Sequence, residues 1–221
     1  MKKLFFILTL SIFFTSSAFC NDVCSDIQIN PDIKFTSSYG KLVFDKSKSK
    51  EELTSLAKQQ NHTIESGIFA NGLATININF DIYLKTSTIN ITDTQYCVLP
   101  NEINIFLGFD SPIIYLSKEL KENTCEYEIV LQHEKTHQQI NKKTLEYYLP
   151  LFKDTASSIL KKIKPIYIDN IEQLDTTTND YIKIYNQKLN PLVDFIKKEI
   201  LTQQQKLDNP NNYKYENSLC N

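Results

Sequence analysis

The residues with the clearest chemical potential are His133, Glu134 and His137, which form an HExxH motif. Two histidines four residues apart lie on one face of an α-helix, about a turn from each other, so their ring nitrogens can bind one ion. Zinc suits such a pair, and the glutamate beside the first histidine can take a proton from a water molecule at the metal. We therefore expect His133 and His137 to bind Zn²⁺ and Glu134 to be the catalytic base.

Chance assembly of this motif in a chain with only three histidines is on the order of a few in a thousand. The third histidine, His62, follows a predicted helix and is more typical of a loop or helix end than of a ligand. The alternative interpretation is a helix that carries two surface or core histidines by coincidence.

The residues around the motif repeat at steps of three and four, which places Glu134 and His137 on an otherwise inward helical face. The other members of that face are Tyr127, Val130, Asn141, Thr144 and Tyr148, with Leu131 and Leu145 beside them. A carboxylate and an imidazole are costly to bury there unless a cation or hydrogen-bonding groups meet them. The register therefore favours a metal ion.

The N-terminus has the pattern of a secretory signal peptide over residues 1–20, with two lysines, an apolar stretch and a small-residue end. Cleavage fits after Ala18 or after Cys20, and bulky Phe19 argues against a lipidated cysteine. The apolar stretch of about eleven residues is too short to span a bilayer, which takes about twenty. We expect an exported protein, periplasmic or secreted, with no transmembrane segment in the mature chain.

The remaining length fits one domain, or one domain with a helical appendage. We assign residues 21–165 to the domain that carries the HExxH motif and residues 166–221 to a C-terminal helical segment that packs on it. A net charge of −2, without long blocks of one sign, predicts no nucleic-acid partner.

Disulfides form in the compartments to which exported proteins are sent, so we expect the cysteines that remain after cleavage at Cys20 to pair. These are Cys24, Cys97, Cys125 and Cys220. Four cysteines allow three connectivities. We favour Cys97 with Cys125, because these two bracket the segment that leads into the motif helix. Metal ligation by cysteine is disfavoured, because no CxxC spacing occurs.

The first half of the chain predicts a small mixed or antiparallel sheet, so the fold class is α+β. A hairpin or two short strands fit 33–44, and Ser49 with Glu52 predicts a capped helix to about residue 60. Further strands are expected at 74–84, 96–99, 103–107 and 112–116, with turns near 100–101 and 108–111. Residues 113–116 could be an edge strand that binds an extended peptide, or an ordinary core strand.

The second half predicts helices. The motif helix begins near Asn123 and ends or kinks at Pro150, and a second helix fits 151–163. A long amphipathic stretch from 171 to 200 fits one or two helices interrupted near Pro191. We expect residues 208–221 to be polar and loop-like.

A sheet followed by an HExxH helix and more helices resembles the zincin metallopeptidases, the broad group that includes thermolysin-like enzymes. The stretch from about Gly72 to Tyr148 is also similar to small secreted bacterial proteins described as zinc proteases. The resemblance implies His133 and His137 as zinc ligands and Glu134 as general base.

The chain departs from these families in its third ligand. No histidine follows His137 in the metzincin pattern, and the glutamate signature of thermolysin relatives is missing. Glu146 would face away from the motif. The remaining candidate ligands are Asp154, Asp169, Glu172, Asp175 and Asp180, and the candidate transition-state donors are Tyr147, Tyr148, Tyr167, Tyr181 and Tyr185.

Two hypotheses follow. The first is a secreted zinc metallopeptidase that hydrolyses peptide bonds, with proteins, peptides and peptidoglycan cross-links as candidate substrates. The second is a non-catalytic exported protein that binds a metal or a partner.

Overall fold

The structure is a computed structural model that describes residues 23–60 and 69–220, so the expected signal peptide and His62 lie outside the described residues. Two small sheets and a set of helices give an α+β fold, as the sequence predicts. The strands are β1 (Asp32–Thr36), β2 (Val43–Asp45), β3 (Gly72–Thr75), β4 (Ile78–Asn90), β5 (Tyr96–Phe109), β6 (Ile113–Leu116) and β7 (Ile166–Ile168). The helices are α1 (Lys50–Gln59), α2 (Cys125–Leu160), α3 (Leu174–Leu207) and α4 (Pro210–Ser218).

The larger sheet is built around β5, which pairs antiparallel with β4 and β7 and parallel with β1. The expected turn at 100–101 is wrong, because β5 runs straight through these residues. Lys85 lies opposite Glu102 and Thr86 opposite Pro100, so Asn101 is an extra residue in a β-bulge. A bulge accommodates proline, which has no N–H to give to the ladder.

The smaller sheet has the order β2-β6-β3, with β6 parallel to β2 and antiparallel to β3. Of the two alternatives for Ile113–Leu116, the ordinary core strand is confirmed and the edge strand is excluded, because β6 has a neighbour on each side. The chain turns at Gly40, where φ is 66°, but β1 and β2 belong to different sheets and form no hairpin. Likewise the expected strand over 74–84 divides into β3 and β4, one in each sheet.

Helices α2 and α3 are longer than the sequence predicts. Thr124, not Asn123, caps α2 by accepting the N–H of Tyr127, and the helix continues for 36 residues through Pro150. The separate helix expected at 151–163 is therefore the second half of α2. Helix α3 also continues through Pro191. The capping box of Ser49 and Glu52 at the start of α1 is confirmed.

The main core lies between the larger sheet and the two long helices. Phe152 of α2 meets the rings of Phe35 and Phe80 edge-on, with centroids 6.3 and 6.0 Å apart. Helix α3 places Tyr181 and Tyr185 fully inside this core. Among the described residues no helix has the length and apolar character needed to cross a membrane.

The disulfides are Cys24–Cys97 and Cys125–Cys220, so the favoured Cys97–Cys125 pair is wrong. A Cys97–Cys125 bond requires the chain to reverse direction near residue 100, so that Cys97 comes close to the start of α2. Strand β5 instead extends for 14 residues, roughly 40 Å at the usual rise of a strand, and carries Cys97 at its far end. Disulfides of this kind are compatible with export.

Candidate metal centre

Helix α2 brings His133, Glu134 and His137 together on a buried face, with 5–7% of each residue exposed. The expected inward register is confirmed, since Asn141, Thr144 and Leu145 are buried as well. Glu146 is exposed and pairs with Lys142, so it faces away as predicted. The motif residues lie between β3 on one side and the end of α3 with α4 on the other.

Asp208 completes a three-residue cluster with the two histidines, and it comes directly after the end of α3. Its Oδ1 lies 3.2 Å from the Nε2 of His133 and 2.9 Å from the Nε2 of His137. The two Nε2 atoms are 3.0 Å apart. The three atoms thus form a nearly equilateral triangle.

This triangle fits one face of a tetrahedral zinc site. Ligand distances of about 2.0–2.1 Å place tetrahedral ligands about 3.3 Å from one another. Two imidazole nitrogens with one carboxylate oxygen are also a donor set that zinc accepts. The residues present therefore fit Zn²⁺.

The outer nitrogen of each histidine has an acceptor of its own. The Nδ1 of His133 lies 3.0 and 3.1 Å from the two carboxylate oxygens of Glu216, and the Nδ1 of His137 contacts the Oε1 of Gln204. Gln204 is in turn fixed by donating to the carbonyl of His137 and to the side chain of Asn141. Acceptors at both Nδ1 atoms keep the proton there, which directs both Nε2 lone pairs into the cluster.

Charges around the cluster shift the pKa values of its members. Burial alone lowers the pKa of His133, but the hydrogen bond to Asp208 and the charges of Glu134 and Glu216 outweigh it and raise the pKa to about 9. Burial raises the pKa of Asp208, but its bonds to His133 and His137 outweigh burial and hold that pKa well below its usual range. In the metal-free protein, protonated His133 therefore pairs with the Asp208 carboxylate.

Glu134 does not belong to the triangle but lies beside it, against β3. Its side chain accepts a hydrogen bond from the backbone N–H of Ala74. Burial raises the pKa of Glu134 to about 7, against the opposing charges of His137 and His133. A carboxyl group with this pKa exchanges protons readily at neutral pH.

Tyr213 of α4 is the phenol nearest the cluster. Its ring stacks on His133 with centroids 5.2 Å apart, and its hydroxyl donates to the Oδ1 of Asp208 at 2.8 Å. Burial, followed by the charges of Asp208 and Glu134, raises the pKa of this hydroxyl. The hydroxyl is thus a neutral donor at physiological pH.

The sequence candidates for third ligand and donor are not in this cluster: Asp154, Asp169, Glu172, Asp175 and Asp180, and Tyr147, Tyr148, Tyr167, Tyr181 and Tyr185. Asp208, Tyr213 and Glu216 were missed because residues 208–221 were expected to be a loop, and Gln204 was missed because the predicted amphipathic stretch ends at residue 200. A signal for two of them was present. Steps of four from buried Ile200 lead to Gln204 and Asp208, two polar residues that continue the inward face of α3.

The sequence also contains a pattern that predicts the start of α4. Asn209 followed by Pro210 is a helix start, and Asn209 indeed accepts the N–H of Asn212 as an N-cap.

Comparison with known proteins does not assign the chain to a family. No protein-family model, curated protein or solved structure matches it. The functional argument therefore depends on the cluster itself.

Proposed function

We propose that this chain is an exported zinc metallopeptidase with His133, His137 and Asp208 as ligands and Glu134 as general base. The observation that carries the proposal is the triangle of two Nε2 atoms and one carboxylate oxygen, with edges of 2.9–3.2 Å, beside a buried glutamate. When bound, zinc would polarise the scissile carbonyl and acidify a water molecule.

The chain's own residues supply the proton transfers. Glu134 takes the proton of the attacking water and passes it to the leaving amine, as a general base beside the metal would. Glu216 and Gln204 hold the two imidazoles in one tautomer and orientation. Tyr213 is the candidate donor to a developing oxyanion.

The experiment that tests the proposal is Glu134→Gln in the purified mature protein. The amide keeps the shape of the side chain but cannot accept the proton, so hydrolysis of a mixed peptide library should fall about a hundredfold or more. Zinc content, measured by atomic emission in the same sample, should stay at about one per chain. Glu128→Gln, on the exposed side of the same helix, is the matched control and should leave both quantities unchanged.

A non-catalytic metal-binding protein is the second candidate, and one observation favours it. Tyr213 and Glu216, both from α4, lie directly against His133, as they would in a closed structural site. If Glu134→Gln hydrolyses peptides at the wild-type rate, Glu134 is not the base and the proposed mechanism is wrong. If neither protein hydrolyses them in its oxidised or its reduced form while both hold zinc, the second function replaces the first.

A further inference from the structure

Helix α4 is weakly attached to the rest of the protein by apolar contacts. It has nine residues and none of them is buried. Its larger apolar side chains point outward, with Tyr215 63% exposed and Leu219, just after the helix, 54% exposed. Apolar burial therefore contributes little to holding this helix in place.

What holds α4 is a set of contacts to the metal cluster and one covalent bond. Glu216 contacts the Nδ1 of His133, and Tyr213 stacks on the same imidazole and donates to Asp208. Cys220, two residues after the helix, is joined to Cys125 at the first position of α2. The helix thus covers His133 and is fastened at its far end.

The near end of α4 is joined to α3 by only two residues, Asp208 and Asn209. Asp208 continues the hydrogen-bond pattern of α3, because its N–H donates to the carbonyl of Gln204. Asn209 follows and caps α4, and Pro210 begins it. Rotation at Asn209 would move Tyr213 and Glu216 away while Asp208 stays beside the two histidines.

The two disulfides differ in exposure. Cys24 and Cys97 are both 0% exposed, whereas Cys125 and Cys220 are exposed. Cys125 also lies at a helix N-terminus, where the helix dipole stabilises a thiolate and so makes this sulfur the better leaving group. A reductant therefore reaches and opens Cys125–Cys220 in preference to the other bond.

We propose that α4 is a lid over the His133, His137 and Asp208 cluster, and that Cys125–Cys220 is a reducible strap that keeps it closed. A dithiol reductant gives two electrons and two protons to the bond, which yields free thiols at Cys125 and Cys220 and a disulfide in the reductant. The lid then opens at Asn209 to admit substrate, and its closure over the substrate would return Tyr213 and Glu216 to the site. The idea rests on the proposed function, because it explains how substrate would reach that site.

The test uses the mature chain in its oxidised form, with and without dithiothreitol, and the double variant C125S/C220S. Hydrogen exchange by mass spectrometry should be at least tenfold faster over residues 210–218 once the strap is gone, since the tether no longer supplies a high effective concentration. Modification of His133 by diethyl pyrocarbonate in chelator-treated protein should accelerate by a similar factor. The matched control C24S/C97S should leave exchange over 210–218 unchanged.

The lid proposal is wrong if loss of the strap changes neither the hydrogen exchange over residues 210–218 nor the rate at which His133 is modified. Tyr213→Ala distinguishes opening of the lid from general unfolding, because it weakens the contact between α4 and His133 in a protein with both disulfides intact. It should raise His133 modification several-fold while exchange within α3 stays slow, and no rise in modification counts against the lid.

Hydrolysis measured in zinc-loaded samples of the oxidised protein, of the reduced protein freed of dithiothreitol and of C125S/C220S separates the two proposals. Hydrolysis that appears on reduction supports both. If exchange over residues 210–218 accelerates on reduction but no hydrolysis appears, the lid proposal is supported and the proposed function is wrong. Hydrolysis at equal rates in oxidised and reduced protein keeps the proposed function and overturns the lid.

Discussion

In the proposed zinc site, Asp208 would supply the negative charge that two neutral imidazoles cannot provide to a dication. Replacement by asparagine keeps the size of the side chain and removes that charge. Asp208→Asn should therefore weaken zinc binding on the order of a hundredfold or more, measured by competition with a chromophoric chelator. The matched control is Asp154→Asn, a ligand candidate from the sequence that lies on the exposed side of α2. Equal zinc affinity in the two variants would remove Asp208 from the site.

The raised pKa of His133 predicts how zinc binding depends on pH. A proton occupies His133 in the metal-free protein below about pH 9, and zinc must displace it. Apparent zinc affinity should therefore rise about tenfold per pH unit from pH 7 towards 9 and then level off. Calorimetry in buffers of different ionisation enthalpy should detect about one proton released per zinc near pH 7. A plateau that begins near pH 6.5, the value of an ordinary histidine, would contradict the proposed proton.

At the scale of elements, close contact between β3 and α2 fixes Glu134. A Cβ at Gly72 would come within 2.5 Å of the Oε1 of Glu134 and 2.7 Å of the Cγ1 of Val130. Gly72→Ala should therefore displace Glu134 and lower hydrolysis at least tenfold, while zinc affinity changes only a few-fold. Zinc titration and peptide turnover on the same preparation measure both.

Gly108→Ala is the control for this variant. Its Cβ would meet the backbone of Ser38, away from the motif, so it should lower the melting temperature without a selective loss of turnover. A Gly72→Ala protein with wild-type turnover would show that Glu134 does not depend on this contact.

Local patterns predict helices α1, α2 and α3 well and their ends less well, whereas α4 lies in a segment expected to be a loop. The repeats at three and four correctly identify the inward faces of α2 and α3. Pro150 and Pro191 do not end these helices, although an interior proline costs about 3 kcal/mol. Buried Leu145 and Phe152 flank the first proline, and buried Leu189 and Val193 flank the second, so packing on both sides offsets the cost.

Pairing between distant segments is what the sequence could not predict. The partners of β5 in β1 and β7 lie about 70 residues away along the chain, and no local residue type encodes that choice. The same holds for the cluster. His133 and His137 are recognisable by spacing, whereas Asp208 comes from 71 residues beyond His137.

At the scale of the whole molecule, two neighbouring tyrosines in the main core provide a matched stability test. The hydroxyl of Tyr181 lies within hydrogen-bond distance of the carbonyls of Val98 and Lys164, at 2.8 and 3.0 Å. The hydroxyl of Tyr185 is buried and has no hydrogen-bond partner in the part of the chain that the structure describes.

Tyr181→Phe should lower the free energy of unfolding by about 1–2 kcal/mol, because it leaves buried carbonyls without their donor. Tyr185→Phe should be neutral or slightly stabilising, because it removes a polar group that is buried without compensation. Urea titration followed by circular dichroism measures both values. A larger loss in Tyr185→Phe than in Tyr181→Phe would contradict this account of the core.

The order of the two disulfides determines how the protein responds to mechanical load. Force applied between residues 24 and 220 passes through the first bond to Cys97, along the backbone to Cys125, and through the second bond to Cys220. Only about 28 residues can then extend, roughly 100 Å of chain at full stretch. The HExxH motif and Asp208 both lie inside the closed 125–220 loop, so tension along this path can unravel β5 and β6 without passing through the metal ligands.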